Sequence, residues 1–172
     1  VHDADDAVYI GDRGAGRIRR IDPETGIINT VAGVGSPGYS GDGGSARKAE
    51  IGSPTSMAFD REGNLYFSDE LAHVIRRIDL FGTITTVAGI GKLGFSHDGT
   101  AAREARLNSP QGVTIASDGA LFFSDTKNHR VRRVDLDGTL QTVAGTDEAG
   151  YFGDNGTCKK KNTSEGIRIS CV

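Results

Sequence analysis

Residues 124–145 read SDTKNHRVRRVDLDGTLQTVAG, and two earlier stretches repeat them: SDELAHVIRRIDLFGTITTVAG at 68–89 and GDRGAGRIRRIDPETGIINTVAG at 11–33. The Val-Ala-Gly triplets start at Val31, Val87 and Val143, a spacing of 56 both times. Without a gap, residues 53–108 and 109–164 agree at 20 of 56 positions, so the period covers the whole interval and not the triplets alone. A fixed period of this length marks a chain built from stacked copies of one supersecondary unit.

Working outward from the phrase, each copy opens with an aromatic or β-branched run: DAVYIG (6–11), NLYFS (64–68) and ALFFS (120–124). Turn residues precede the second and third runs, which is strand chemistry bounded by turn chemistry. An Asp follows each run (Asp12, Asp69, Asp125), then a polar loop, then a second run at 17–21, 74–78 and 130–134. The turns DPETG, DLFG and DLDG lead into a third run at 27–32, 83–88 and 139–144. Turns this close to their strands predict hairpins and antiparallel order. A further run at 55–59, 112–116 and 166–170 precedes the set. The unit is four short antiparallel strands, A to D in chain order. Long connections separate D from the next A, at 34–52, 90–108 and 146–164. Their middles repeat as GYSGDGG (38–44), GFSHDGT (94–100) and GYFGDNG (150–156). SARKAEI and AAREARL then predict one or two helical turns, docked by Ile51 and Leu107. In the third copy TCKKKNTS has no such anchor, and the tail after Gly156 is expected to be the least ordered part.

Four-stranded antiparallel units repeated at this length predict an all-β chain, a β-propeller with three blades. One propeller unit spans 1–172, with blades at 6–33, 53–89 and 109–145 and a last strand A at 166–170. The expected core is Val8, Ile10, Leu65, Phe67, Leu121 and Phe123 of strand B, Ile18, Ile75 and Val131 of strand C, and Val31, Val87 and Val143 of strand D. The first blade lacks a strand A and the final strand A lacks a blade, so open edges or bare apolar faces are expected. A homodimer exchanging the terminal strand would complete a six-bladed ring; further blades in a longer chain would cover the same edges.

The composition, 36% hydrophobic and 25% charged, is that of a soluble globular chain long enough to bury a core. A net charge of −3 gives no field to attract nucleic acid or anionic membrane. No apolar run approaches the ~18 residues of a membrane helix. Val1 is not an initiator Met, which leaves the native start open. Cys158 and Cys171 match no metal motif; they are two free thiols or a disulfide. Two glycosylation-type sequons, at Asn155 and Asn162, favour the disulfide and an extracellular setting.

Asn128-His129-Arg130-Val131-Arg132-Arg133-Val134-Asp135 resembles the core of the NHL repeat family, which is named for Asn-His-Leu. Ala72-His73-Val74-Ile75 keeps the His, and Gly14-Ala15-Gly16-Arg17 keeps neither residue. Ser-Pro before strand A and Gly-Asp-Gly-Gly in the connection also resemble long NHL repeats. The resemblance implies a propeller for nearly all of the chain. It implies less about function, because one fold hosts unrelated activities.

Alternation puts the A–B and C–D turns at one end of each blade and the B–C loops and connections at the other. The tight turns suit a bland face, and the long segments suit a binding face. The candidate binding residues there are Asp12, Arg13, Tyr39, Asp69, His73, Phe95, Asp125, Asn128, His129, Arg130 and Tyr151. The strand-B Asp residues form either a carboxylate ring for a cation or, as a residue needed in every repeat suggests, a structural acceptor. The pairs Arg19/Arg20, Arg76/Arg77 and Arg132/Arg133 point to opposite sheet faces. They suit an ion pair inside the blade plus a solvated partner better than RNA contact. The Asp42, Asp98 and Asp154 loops suit turns better than calcium. His73 and His129 suit loop capping better than a metal site. No catalytic motif, cofactor motif or metal site is present. The expectation is a non-catalytic scaffold that binds a protein. The alternative is a six-bladed hydrolase or lyase with a divalent metal in its central channel. Donors unique to one blade would mark the enzyme.

Overall fold

The three repeats fold as three successive antiparallel sheets. The computed structural model describes residues 1–146 and 149 and, for the backbone alone, Cys158–Thr163 and Gly166–Cys171. The first blade has β1 (Val8–Asp12), β2 (Arg17–Ile21) and β3 (Ile28–Ala32). The second has β4 (Pro54–Phe59), β5 (Leu65–Asp69), β6 (Val74–Ile78) and β7 (Ile84–Ala88). The third has β8 (Pro110–Ile115), β9 (Leu121–Asp125), β10 (Arg130–Val134) and β11 (Leu140–Gly145). Each sheet keeps chain order, as hairpin turns dictate. The last run is not a solitary strand A. Part of the expected connection forms β12 (Cys158–Thr163), which pairs antiparallel with β13 (Gly166–Cys171). A lone strand leaves its backbone groups unpaired, and β12 is the nearest partner in sequence.

Every C–D pair slips by one residue at the same place. Ile75 faces Ala88 but Arg76 faces Thr86, and the same step occurs at Ile18/Arg19 and Val131/Arg132. The residue skipped is Val31, Val87 or Val143, which a β-bulge turns partly outward. These three valines are half-buried and are not core residues as expected. The glycine that closes each triplet has positive φ: +92° at Gly33, +95° at Gly89 and +88° at Gly145. A Cβ on Gly89 would stand 2.5 Å from the carbonyl oxygen of His73. Thus Val-Ala-Gly recurs because one residue bulges, one packs, and the third needs a conformation and a clearance that suit glycine.

The core lies between the sheets. Leu65, Phe67, Ile78 and Ile84 of the second blade meet Ile18 and Ala32 of the first. Ile75 and Ala88 on its other side meet Val113, Leu121, Phe123, Val134 and Leu140. The connections are wedges in these junctions: Ala46, Ala49 and Ile51 complete one cluster, and Ala102, Ala105 and Leu107 the other. Their helical turns are single 3₁₀ turns, Ala46–Lys48 and Ala102–Glu104. A third 3₁₀ turn, Thr126–Asn128, falls in the B–C loop of the third blade, where none was expected. Val8, Ile10 and Val131, expected in the core, are exposed. They lie on the faces of the first and third blades that point away from the second.

Candidate functional site

Two of the three strand-B carboxylates, Asp69 and Asp125, serve the structure of their blades. Asp69 is fully buried and accepts hydrogen bonds from the amides of Gly52 (2.9 Å), Ser53 (2.8 Å) and Ala72 (3.4 Å). Asp125 is equally buried; it accepts the Asn108 amide at 2.7 Å and the Asn128 Nδ2 at 2.8 Å, and lies 3.5 Å from Arg132 Nη1. Burial pushes both carboxyls above the usual Asp value, and these donors offset only part of the rise. Each ties the end of the preceding connection to its own B–C loop. Asp12 accepts only the Ala15 amide, at 3.3 Å. The three do not form an open ring of acceptors, and among the described residues no three His, Cys, Asp or Glu side chains converge on a metal position.

His73 and His129 adopt the left-handed conformation, φ 56° and 55°, and Gly16 at the same repeat position has φ +54°. The glycine in the first copy therefore preserves the turn and is no gap in the pattern. The Ser109 amide donates to His73 Nδ1 at 3.1 Å, so in the neutral ring the proton sits on Nε2. Burial, aided by Lys127, lowers the His73 pKa. Asn128 donates to the carbonyl of Gly94 at 2.8 Å.

The glycine-rich loops are clamps. Arg76 is fully buried and donates to the carbonyls of Glu50 (2.9 Å) and Ser40 (2.8 Å) and to Asp42 Oδ1 (2.6 Å), beneath the ring of Tyr39. Asp42 Oδ2 accepts the Thr86 amide at 2.8 Å. Burial would raise the Asp42 carboxyl, but the Thr86 and Arg76 donors outweigh it and hold it below the usual value. Arg132 repeats the arrangement with Ser96, Asp98 and Phe95. The other arginines of the pairs lie on the opposite face but are half-buried and not simply solvated as expected: Arg133 meets Asp118 and Asp135, and Arg20 meets Asp3 and Asp22. Tyr151 and Asp154 lie outside the described residues.

What remains open on this face is a polar chain across three blades and, on the same face, two exposed leucines. Arg13 pairs with Glu70 and donates from Nε to Ser53 Oγ at 3.3 Å; Gln111 Nε2 donates to Glu70 Oε1 at 3.0 Å. Arg130 lies 4.3 Å over the Phe95 ring. Leu71 and Leu93 project with 64% and 63% of their surface exposed, so neither serves the core. Glu70, Leu71 and Leu93 escaped the sequence reading because it followed repeated positions, and these three do not repeat.

The opposite face is not bland. Ile27, Leu80, Phe81 and Leu136 are exposed on its C–D turns. Beside Leu80 and Phe81 lies a cavity of about 460 Å³, lined also by Tyr9, Val31, Phe59 and Leu65. Leu80 and Leu136 approach the A–B turn glycines Gly63 and Gly119, so they serve the turns. Phe81, 95% exposed, has no such contact and stands where the third copy has Asp137.

Successive antiparallel sheets packed through one repeated junction define a β-propeller. The Teneurin NHL domain family matches residues 94–167. Protein SUPPRESSOR OF QUENCHING 1, chloroplastic, of Arabidopsis thaliana is 34% identical over 74% of the chain, and Teneurin-1 of Gallus gallus 30% identical over 69%. The chain spans only 13% and 5% of those two proteins. A Bacteroides thetaiotaomicron protein of unknown function superposes with a TM-score of 0.66 at 25% identity, covering 86% of this chain and 36% of that one. A chain of the nidogen/laminin complex superposes with a TM-score of 0.58 at 20% identity, over 83% and 45%. The chain belongs to the NHL-repeat family.

Proposed function

We propose that the chain is a non-catalytic interaction domain that binds a protein on the face formed by the B–C loops and the connections. The observation that carries this is that Leu71 and Leu93, exposed, apolar and unrepeated, lie on the same blade ends as the Arg13–Glu70–Gln111 chain. Apolar anchors within a polar surround are the anatomy of a protein interface. The arginine clamps fix the loops beforehand, which lowers the ordering cost of binding. The nidogen/laminin neighbour belongs to a protein complex, which agrees with such a role. A second reading places a contact on the opposite face and is favoured by Phe81 and its cavity.

Binding of the purified chain to a panel of extracellular protein domains separates these readings. A partner of the loop face loses affinity for Leu71→Asp and Leu93→Asp and keeps it for Phe81→Asp. The reverse pattern moves the site to the other face. Metal-dependent hydrolase or lyase turnover by the purified chain would overturn the non-catalytic reading.

A further inference from the structure

The cavity on the C–D-turn face takes its walls from two blades and the segment between them. Tyr9 and Val31 come from the first blade, Arg47 from the connection, and Phe59, Leu65 and Ile78 from the second blade. Its volume is about 460 Å³, inside the ~300–1,000 Å³ span of small-molecule sites. The floor is fixed by packing. Leu65 and Ile78 are 4% and 8% exposed, and Tyr9 meets Phe59 edge to face with ring centroids 5.0 Å apart. Phe81 also lines the cavity, yet stands 95% exposed at its rim.

The repeat does not ask for these two phenylalanines. At the second junction the places of Phe59 and Phe81 are held by Ile115 and Asp137. The turn that carries Phe81 is closed by Asp79, whose Oδ1 accepts the Phe81 amide at 2.9 Å and the Thr83 amide at 2.8 Å. The turn therefore uses the backbone of residue 81 and not its ring. Two charges line the cavity, and Asp79, engaged by those amides, is one of them. The other is Arg47, on the 3₁₀ turn Ala46–Lys48; it is exposed and has no hydrogen bond or ion pair among the described residues. The second junction repeats the arginine as Arg103, but with Asp137 in place of the Phe81 ring. Of the two junctions, the first alone combines the unpaired cation with an aromatic rim.

We propose that this cavity binds a small aromatic carboxylate, its ring between Phe59 and Phe81 and its carboxylate on the Arg47 guanidinium. The planar guanidinium matches a carboxylate with two parallel N–H donors. The aromatic walls favour a flat ring over an aliphatic chain of similar area. The site does not depend on where a protein binds, since none of its residues belongs to the loop face.

Naphthoate tests it, titrated into the isotope-labelled chain and followed by the amide resonances. Saturable shifts are expected at 45–47 and 80–82, with a Kd on the order of 1 mM or tighter. Arg47→Gln should weaken naphthoate about tenfold, the loss of one charged hydrogen-bonding partner, and leave neutral naphthylmethanol unchanged. Phe81→Asp should weaken both ligands, and Leu71→Asp neither. Arg47 and Phe81 are exposed, so the fold tolerates both changes, and unshifted resonances elsewhere verify it. Naphthylmethanol binding as tightly as naphthoate overturns the carboxylate site. Tighter binding of naphthylmethylamine overturns it in favour of Asp79. No saturable shift, shifts scattered over every exposed apolar residue, or affinity indifferent to Arg47→Gln and Phe81→Asp also overturns the proposal.

Discussion

Removing Asp42 tests whether the connections act as clamps. In Asp42→Ala the guanidinium of Arg76 stays fully buried and keeps two carbonyl acceptors, but loses its only carboxylate at 2.6 Å. The Thr86 amide loses its acceptor too. Breaking a buried pair from one side costs about 3–5 kcal/mol. The Asp42 side chain is 42% exposed, so water screens part of the attraction, and the expected cost falls to about 2–3 kcal/mol. Arg76→Met removes the buried charge itself and leaves two carbonyls and a carboxylate that water can reach, for about 1–2 kcal/mol. The double variant costs less than the sum, because Arg76 without Asp42 is a burden whose removal helps. Urea melts of the four proteins at pH 7 measure this. An Asp42→Ala loss under ~0.5 kcal/mol, or strict additivity, would refute the clamp. Acid gives a second check. The Asp42 carboxyl is lowered in the folded chain, so its contribution is complete above the unfolded value of about 3.9 and disappears as pH falls through the lower folded value. The gap between wild type and Asp42→Ala should close on acidification.

Phe67→Ala should cost about 3–5 kcal/mol, since the ring is fully buried between two blades. Val87→Ala should cost only about 1 kcal/mol, because the bulge turns that valine half out; equal losses in denaturant melts would contradict the register. Gly89→Ala, with a carbonyl 2.5 Å from the new methyl, should cost well over the ~1–2 kcal/mol of left-handed strain alone. Gly82→Ala, at φ +78° with nothing within 4 Å, should show only that strain, and indistinguishable thermal shifts for the two would remove the clearance argument.

The strands were legible because period two and turn chemistry are local: β2, β6 and β10 fall on the residues expected of them. Faces were less legible. Phe67 and Ile10 share a repeat position, yet one is buried and the other exposed, because burial depends on a neighbouring blade and not on the residue. The bulged valines escaped for a similar reason, since a one-residue slip against the partner strand leaves no mark in the sequence of either. The structural role of Asp69 and Asp125 was legible, because a need repeated from copy to copy is a need of the copy. The same habit of reading what repeats hid Glu70, Leu71, Leu93 and Phe81.

The clamp also redraws the unit of the chain. Sequence similarity aligns most easily from Ser53, which gives a repeat of blade followed by connection. Asp42, however, acts on Arg76 of the blade that comes after it, and Ala46 and Ile51 fill the cluster that holds Phe67 and Ile84 of that blade together with Ile18 and Ala32 of the one before. The segment that carries both its arginine and that arginine's aspartate is therefore 34–89, and after it 90–145. A duplication or transplant cut before residue 34 or 90 moves a blade together with what holds it. A cut before residue 53 or 109 parts every arginine from its aspartate.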